Sequence, residues 1–145
     1  MEGRKLPGVR VYTDGASRGN PGPAAIGVVV CDEEDRILRE HREYLGEATN
    51  NEAEYRAILR GLSLAASHTD DRIVVTSDSE VVVRQLTGTY RIREERLAGL
   101  ADEIRKREGA FRSVEYRHAP RMTGRLARAD ALANEALDRL GTRKR

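Results

Sequence analysis

From Val9 the chain reads V-R-V-Y-T-D, and from Ala24 to Cys31 it is almost wholly apolar (A-A-I-G-V-V-V-C). β-branched and aromatic residues mark Val9–Asp14 as the first strand, and Ala24–Cys31 is predicted as the second, closing the hairpin. Between them lie Gly15, Ala16, Ser17, Gly19, Asn20, Pro21, Gly22 and Pro23. That run of small and turn-forming residues is longer than an ordinary hairpin loop of roughly two to five residues. Asp32–Asp35 reads as an acidic turn, and Ile37–Leu45 alternates as a third antiparallel strand that Gly46 breaks.

The period then changes. A helix is predicted from about Asn51 to Ser67, with Thr49 or Asn50 placed to cap it. Arg72–Thr76 is a short apolar run typical of a buried parallel strand. A short helix, Ser79–Leu86, is stopped by Gly88, and a more charged one, Glu94–Arg107, ends at Gly109. Ser113–Ala119 reads as the fifth strand, Pro120–Gly124 as a loop, and Leu126–Leu140 as a final alanine-rich helix. This order predicts an α/β protein: a five-stranded mixed sheet, three antiparallel strands then two parallel ones, with helices on both faces.

Several acids stand where this patterning does not expect them. Asp14 ends the first strand and Asp78 follows the fourth, in T-S-D-S. In a right-handed α/β arrangement these strands are parallel neighbours, and ligands bind beyond their carboxyl ends. No Lys or Arg lies within three residues of either acid, and two clustered anions raise each other's pKa unless a cation joins them. Capping of the following helix is the competing role for Asp78. In the first helix, Glu54, Ile58, Gly61, Leu62 and Ala65 form the apolar stripe, so Glu54 points at the sheet. Glu52 is rotated roughly 200° away and is expected to be solvated, paired with Arg56 four residues on. In the last helix Leu126, Asp130, Ala133, Leu137 and Leu140 share a face, so Asp130 also looks inward unless Arg125 or Arg128 neutralises it. Four acids on four elements suggest a shared cation. Oxygen ligands without His or Cys suit Mg²⁺ or Mn²⁺, and a pair of such ions about 3.5–4 Å apart can drive phosphodiester hydrolysis.

Composition narrows the reading without redirecting it. At 145 residues, 39% hydrophobic and 34% charged, the chain fits one globular domain. The net charge of +2 is a weak signal for a polyanionic partner, so binding to nucleic acid would rest on local patches. Cys31, the single cysteine, excludes an internal disulfide and reads as a core residue. With no apolar segment of signal or membrane-spanning length, a cytoplasmic location is expected.

The motifs T-D-G-A-S-R-G-N-P-G-P-A, T-N-N-E-A-E-Y-R-A, T-S-D-S and A-R-A-D-A-L-A, in that order, resemble those of type 1 ribonuclease H from Val9 to about Leu140. The resemblance implies a ribonuclease H-like fold and cleavage of the RNA strand of an RNA–DNA hybrid, leaving 5′-phosphate and 3′-hydroxyl ends. It places the family's catalytic, metal-binding quartet on Asp14, Glu54, Asp78 and Asp130, with two Mg²⁺ (or Mn²⁺) ions in the substrate complex. Gly15, Ser17, Asn20, Asn50 and Asn51 match positions that read the minor groove, Thr49 one that holds a DNA phosphate, and Tyr90 an aromatic of the DNA channel. The short link T-G-T-Y-R-I-R leaves no room for the basic protrusion of some relatives, and the chain looks closer to the archaeal-type branch. There an Arg after the loop proline serves where others use a histidine, and Arg121 matches it; His118 is expected to be structural. A catalytic domain over residues 9–140 is expected, after a short extension (1–8) and before a basic tail (141–145). No hybrid-binding module is expected before it, so affinity should be modest and strongly salt-dependent; a monomer is expected.

Overall fold

The computed structural model describes residues 5–141. The first four residues and the basic tail over Arg143–Arg145 lie outside the described residues. The element order is β1 (Leu6–Ser17), β2 (Gly22–Asp32), β3 (Ile37–Ala48), α1 (Asn50–Ala65), β4 (Thr69–Ser77), α2 (Glu80–Leu86), α3 (Glu95–Glu108), β5 (Ser113–His118) and α4 (Leu126–Ala136), which runs into a π-helical turn, Leu137–Gly141. The five strands form one sheet in the order β3-β2-β1-β4-β5. β1–β2 and β2–β3 pair antiparallel, β1–β4 and β4–β5 parallel, as the order of elements predicts.

α1 packs on one face and α4 on the other. Val9, Val11, Val28, Ile58, Leu62, Ile73 and Val75 build the main core beneath α1, joined by Leu97 and Ile104 of α3. On the far face Val29 and Cys31 meet Ala129 and Leu132 of α4. β2 supplies both layers, Val28 and Val30 to the first and Val29 and Cys31 to the second, since successive side chains point to opposite faces. No helix among the described residues is long and apolar enough to cross a membrane.

Three departures from the expected boundaries matter for the site. β1 begins at Leu6 and runs to Ser17, while β2 begins at Gly22. The link between them is therefore the ordinary-length segment Arg18–Pro21, because the small residues on either side continue the ladder (Ala16↔Ala25, Ser17↔Ala24). Gly46 does not end β3: at φ +81° it allows a bulge in which Ala24 pairs with Gly46 and Ala25 with Tyr44. The last α-helix stops at Ala136, and the wider turn beyond it leaves Leu140 48% exposed instead of on the inward face.

Candidate active site

The parallel register of β1 and β4 ends at Thr13↔Ser77. The next residue on each strand is an acid, so Asp14 and Asp78 emerge side by side, and their equal parity sends both side chains to the same face. Asp14 is 3% exposed and the Asp78 side chain 10%. Asp78 does not cap α2; that role belongs to Ser79, whose hydroxyl accepts from the Val82 amide.

Glu54 arrives from α1. Thr49 is the N-cap: its hydroxyl accepts from the Glu52 amide at 3.1 Å, and the Glu52 carboxylate accepts from the Thr49 amide at 2.7 Å. This reciprocal cap fixes the first turn and directs Glu54, 5% exposed, toward the sheet, where it accepts a hydrogen bond from the Gly15 amide at 3.0 Å. Gly15 is required by the closeness of that approach. A Cβ there would lie 2.3–2.5 Å from backbone atoms of Ala53 and Glu54. Asp14, Glu54 and Asp78 each offer an oxygen within 4.8 Å of the other two.

Asp130 comes from the opposite face on α4. Its side chain is 21% exposed and lines a cleft of 510 Å³ that also contains Asp14. α4 lies close enough to the sheet for this because Gly27 has no side chain: a Cβ there would sit 2.0 Å from the Ala129 carbonyl oxygen. Neither candidate neighbour neutralises Asp130. Arg125 donates to the Asp35 carbonyl, and Arg128 to Glu40 and Glu135.

The charges oppose one another strongly. Burial, then the negative charges of Asp78 and Asp130, push the Asp14 carboxyl up to about 7 against a partial offset from Arg121. Burial, followed by Asp14 and Asp78, raises Glu54 well above the usual carboxylate range. Asp14 Oδ2 and Asp78 Oδ1 are buried and accept no hydrogen bond. Buried polar atoms are nearly always partnered, so two orphans in one anionic cluster fit a cation ligand set. The donors are all hard oxygens, which suits a divalent ion of the Mg²⁺ or Ca²⁺ type over zinc.

Sequence proximity gave these acids no cation, but a distant loop does. Arg121 Nε donates to Asp78 Oδ2 at 3.1 Å and stands 3.9 Å from Asp130. Its side chain is 65% exposed, so the pair is a weak one that solvent screens. His118 is exposed at the end of β5 and is not a core histidine.

Among the expected substrate contacts, Gly15, Ser17, Asn20 and Asn50 line the cleft, whereas Thr49 and Asn51 do not. Ser17 is already engaged: its hydroxyl donates to the carbonyls of Ala48, at 2.9 Å, and Gly19. Asn20 Oδ1 accepts from the Asn50 amide at 3.0 Å, which ties the β1–β2 link to the start of α1. Tyr90 is 44% exposed with the Arg84 guanidinium 5.6 Å from its ring centre. Glu52 departs from expectation. It is buried, and beyond its capping bond it pairs with Arg96 of α3 at 2.8 Å and not with Arg56. Leu137, placed on the Asp130 face by helical spacing, lines the cleft, as do Arg18 and Asn134, which were not anticipated. The i+4 spacing from Asp130 would have found Asn134.

A family model described as "Reverse transcriptase-like" matches residues 12–136. The chain is similar to the ribonuclease HI of Halobacterium salinarum, at 44% identity over 130 residues, 90% of this chain and 64% of that protein. It is 38% identical to the bifunctional protein Rv2228c of Mycobacterium tuberculosis over 90% of this chain and 35% of that one. The chain thus spans about two-thirds and one-third of the lengths of these relatives. The crystal structure of the latter's N-terminal RNase H domain superimposes with a TM-score of 0.90 at 35% identity, covering 95% of this chain and 99% of that one. LC11-RNase H1, solved in complex with an RNA/DNA hybrid, gives a TM-score of 0.85 at 40% identity, over 92% and 99% of the two chains.

Proposed function

Because this chain belongs to the type 1 ribonuclease H family, we propose that it hydrolyses the RNA strand of an RNA–DNA hybrid, leaving 5′-phosphate and 3′-hydroxyl ends. One observation carries the reading: the orphaned carboxylate oxygens of Asp14 and Asp78 inside an anionic cluster beside an open cleft. Unpaired buried charge is costly, and a divalent cation relieves that cost. The ligand chemistry favours Mg²⁺, with Mn²⁺ as a substitute, held by Asp14, Glu54, Asp78 and Asp130, with two ions per site once substrate is bound. Such ions neutralise phosphodiester charge and lower the pKa of water near neutrality.

The chain's own groups do the remaining work. The Gly15 amide holds Glu54 in place. Arg121 offsets part of the acid charge in the cation-free protein and offers its guanidinium to a phosphate oxygen. Gly15, Ser17 and Asn20 on one lip, with Asn50 and Asn51 at the start of α1, read the minor groove where the 2′-hydroxyls that distinguish RNA from DNA are displayed, and Thr49 holds a phosphate of the DNA strand. No protein partner is needed for this chemistry, and a monomer is expected to perform it.

The test is cleavage of an end-labelled hybrid with Mg²⁺ or Mn²⁺, and in EDTA. Metal-dependent products with 5′-phosphate ends are expected, and Asp14→Asn should abolish cleavage while the hybrid still binds. Cleavage that survives EDTA or the Asp14→Asn change, or no cleavage by the parent, refutes the reading.

A further inference from the structure

Three of the four acids are fixed by elements of the main core, but Asp130 depends on how α4 lies. That helix has no side-chain cap at its N-terminus, and at its other end it opens into the π-helical turn. Its underside (Ala129, Leu132, Ala133, Ala136) rests on the sheet, and Asp130 and Asn134 face the cleft. Small apolar contacts on a smooth surface resist lifting of a helix better than rolling, because alanines interdigitate little.

Arg125 ties the start of α4 to the Asp35 carbonyl, and the opposite flank of the helix carries a further restraint. Arg128 grips Glu40 of β3 with two bonds, Nε to Oε2 at 2.8 Å and Nη2 to Oε1 at 2.9 Å. Its Nη1 also reaches Glu135 Oε2 at 3.3 Å, one face-repeat along the helix. Glu135 in turn accepts from Arg42 of β3 at 2.6 Å. The four alternating charges form a ladder along the β3 edge, each 31–39% exposed. A single exposed pair contributes little, but a bidentate contact within a network holds geometry.

We propose that this Glu40–Arg128–Glu135–Arg42 ladder sets the roll of α4, and that Arg128 is thereby a positioning residue for Asp130. The inference rests on the cation-binding role given to Asp130 above. Loss of an outer partner that orients a metal ligand typically weakens the metal by about 10-fold or more.

The experiment is a calorimetric Mn²⁺ titration of the whole chain, with melting temperature recorded in EDTA. Arg128→Met should bind Mn²⁺ about 10-fold more weakly. Glu40→Gln should match it, and the double variant should add nothing further. Arg128→Lys, which keeps the charge, should recover part of the affinity. Unchanged Mn²⁺ affinity in Arg128→Met, with only a lower melting temperature, overturns the inference and leaves a purely structural ladder. A Lys variant as weak as Met, or additive effects in the double variant, overturns it as well. Parent protein that fails to cleave hybrid overturns the functional reading instead, so the two failures are distinct.

Discussion

Replacing Asp14 with Asn should make the cation-free protein more stable while destroying its activity. In the folded chain the Asp14 carboxyl titrates at about 7, against 3.8 for an unperturbed Asp, first because it is buried and then because Asp78 and Asp130 repel its charge. The folded state thus holds a proton that the unfolded chain has already lost. Raising the pH from 3.8 to about 7 therefore penalises folding, and above that the penalty is complete and constant. At about 1.4 kcal/mol for each tenfold change in acidity, it approaches roughly 4 kcal/mol. Solvent reaching the group through the cleft reduces it, so a gain of about 2–4 kcal/mol is expected for Asp14→Asn near pH 8 in EDTA. At about 2–4 °C per kcal/mol for a domain of this size, the melting temperature should rise by roughly 4–16 °C. The assay is differential scanning calorimetry of parent and variant across the pH range. The advantage should shrink steadily as the pH falls toward 4 and vanish below 3.8, where both states of the parent are protonated. Saturating Mg²⁺ or Mn²⁺ should raise the parent far more than the variant, because a ligand stabilises only the state that binds it. An Asn variant no more stable than the parent near pH 8, or equally favoured at pH 4 and pH 8, would show that the cluster stores no electrostatic strain.

Two further substitutions probe how the acids are held. Glu52→Ala removes both a reciprocal cap and the bond from Arg96, and a loss of about 1–2 kcal/mol is expected in denaturant titrations near neutral pH. Burial raises the Glu52 carboxyl but the Thr49 amide and Arg96 outweigh it, leaving it below the usual range. That stabilisation is present above the ordinary carboxylate pKa and is lost as the pH falls through the lowered value, so the variant's deficit should fade in acid. Gly27→Ala drives a methyl group against the Ala129 carbonyl, which backbone cannot avoid without lifting α4. A destabilisation of about 1–3 kcal/mol is expected, with Mn²⁺ affinity falling beyond what the stability loss accounts for; normal affinity would refute the close-packing argument.

What could be read from the residue pattern is whatever a single turn or strand encodes. β-branched and apolar runs placed β1 and β2, alternation placed β3, and the i, i+4, i+7 stripe turned Glu54 inward. The cap at Thr49 and the parallel neighbours β1 and β4, which bring Asp14 beside Asp78, followed from equally local rules and one handedness rule. The tertiary structure alone decided which long side chain meets which. Glu52 ignores Arg56 on its own helix because burial beside α3 brings Arg96 closer, and Arg121 reaches Asp78 across more than forty residues of chain. The same holds for Gly27, whose missing side chain matters only because α4 crosses above it, and for the ladder that joins Arg128 to β3. Backbone periodicity is fixed by neighbours in sequence, whereas charge pairing and close approach depend on distances that exist only once the sheet and helices have packed.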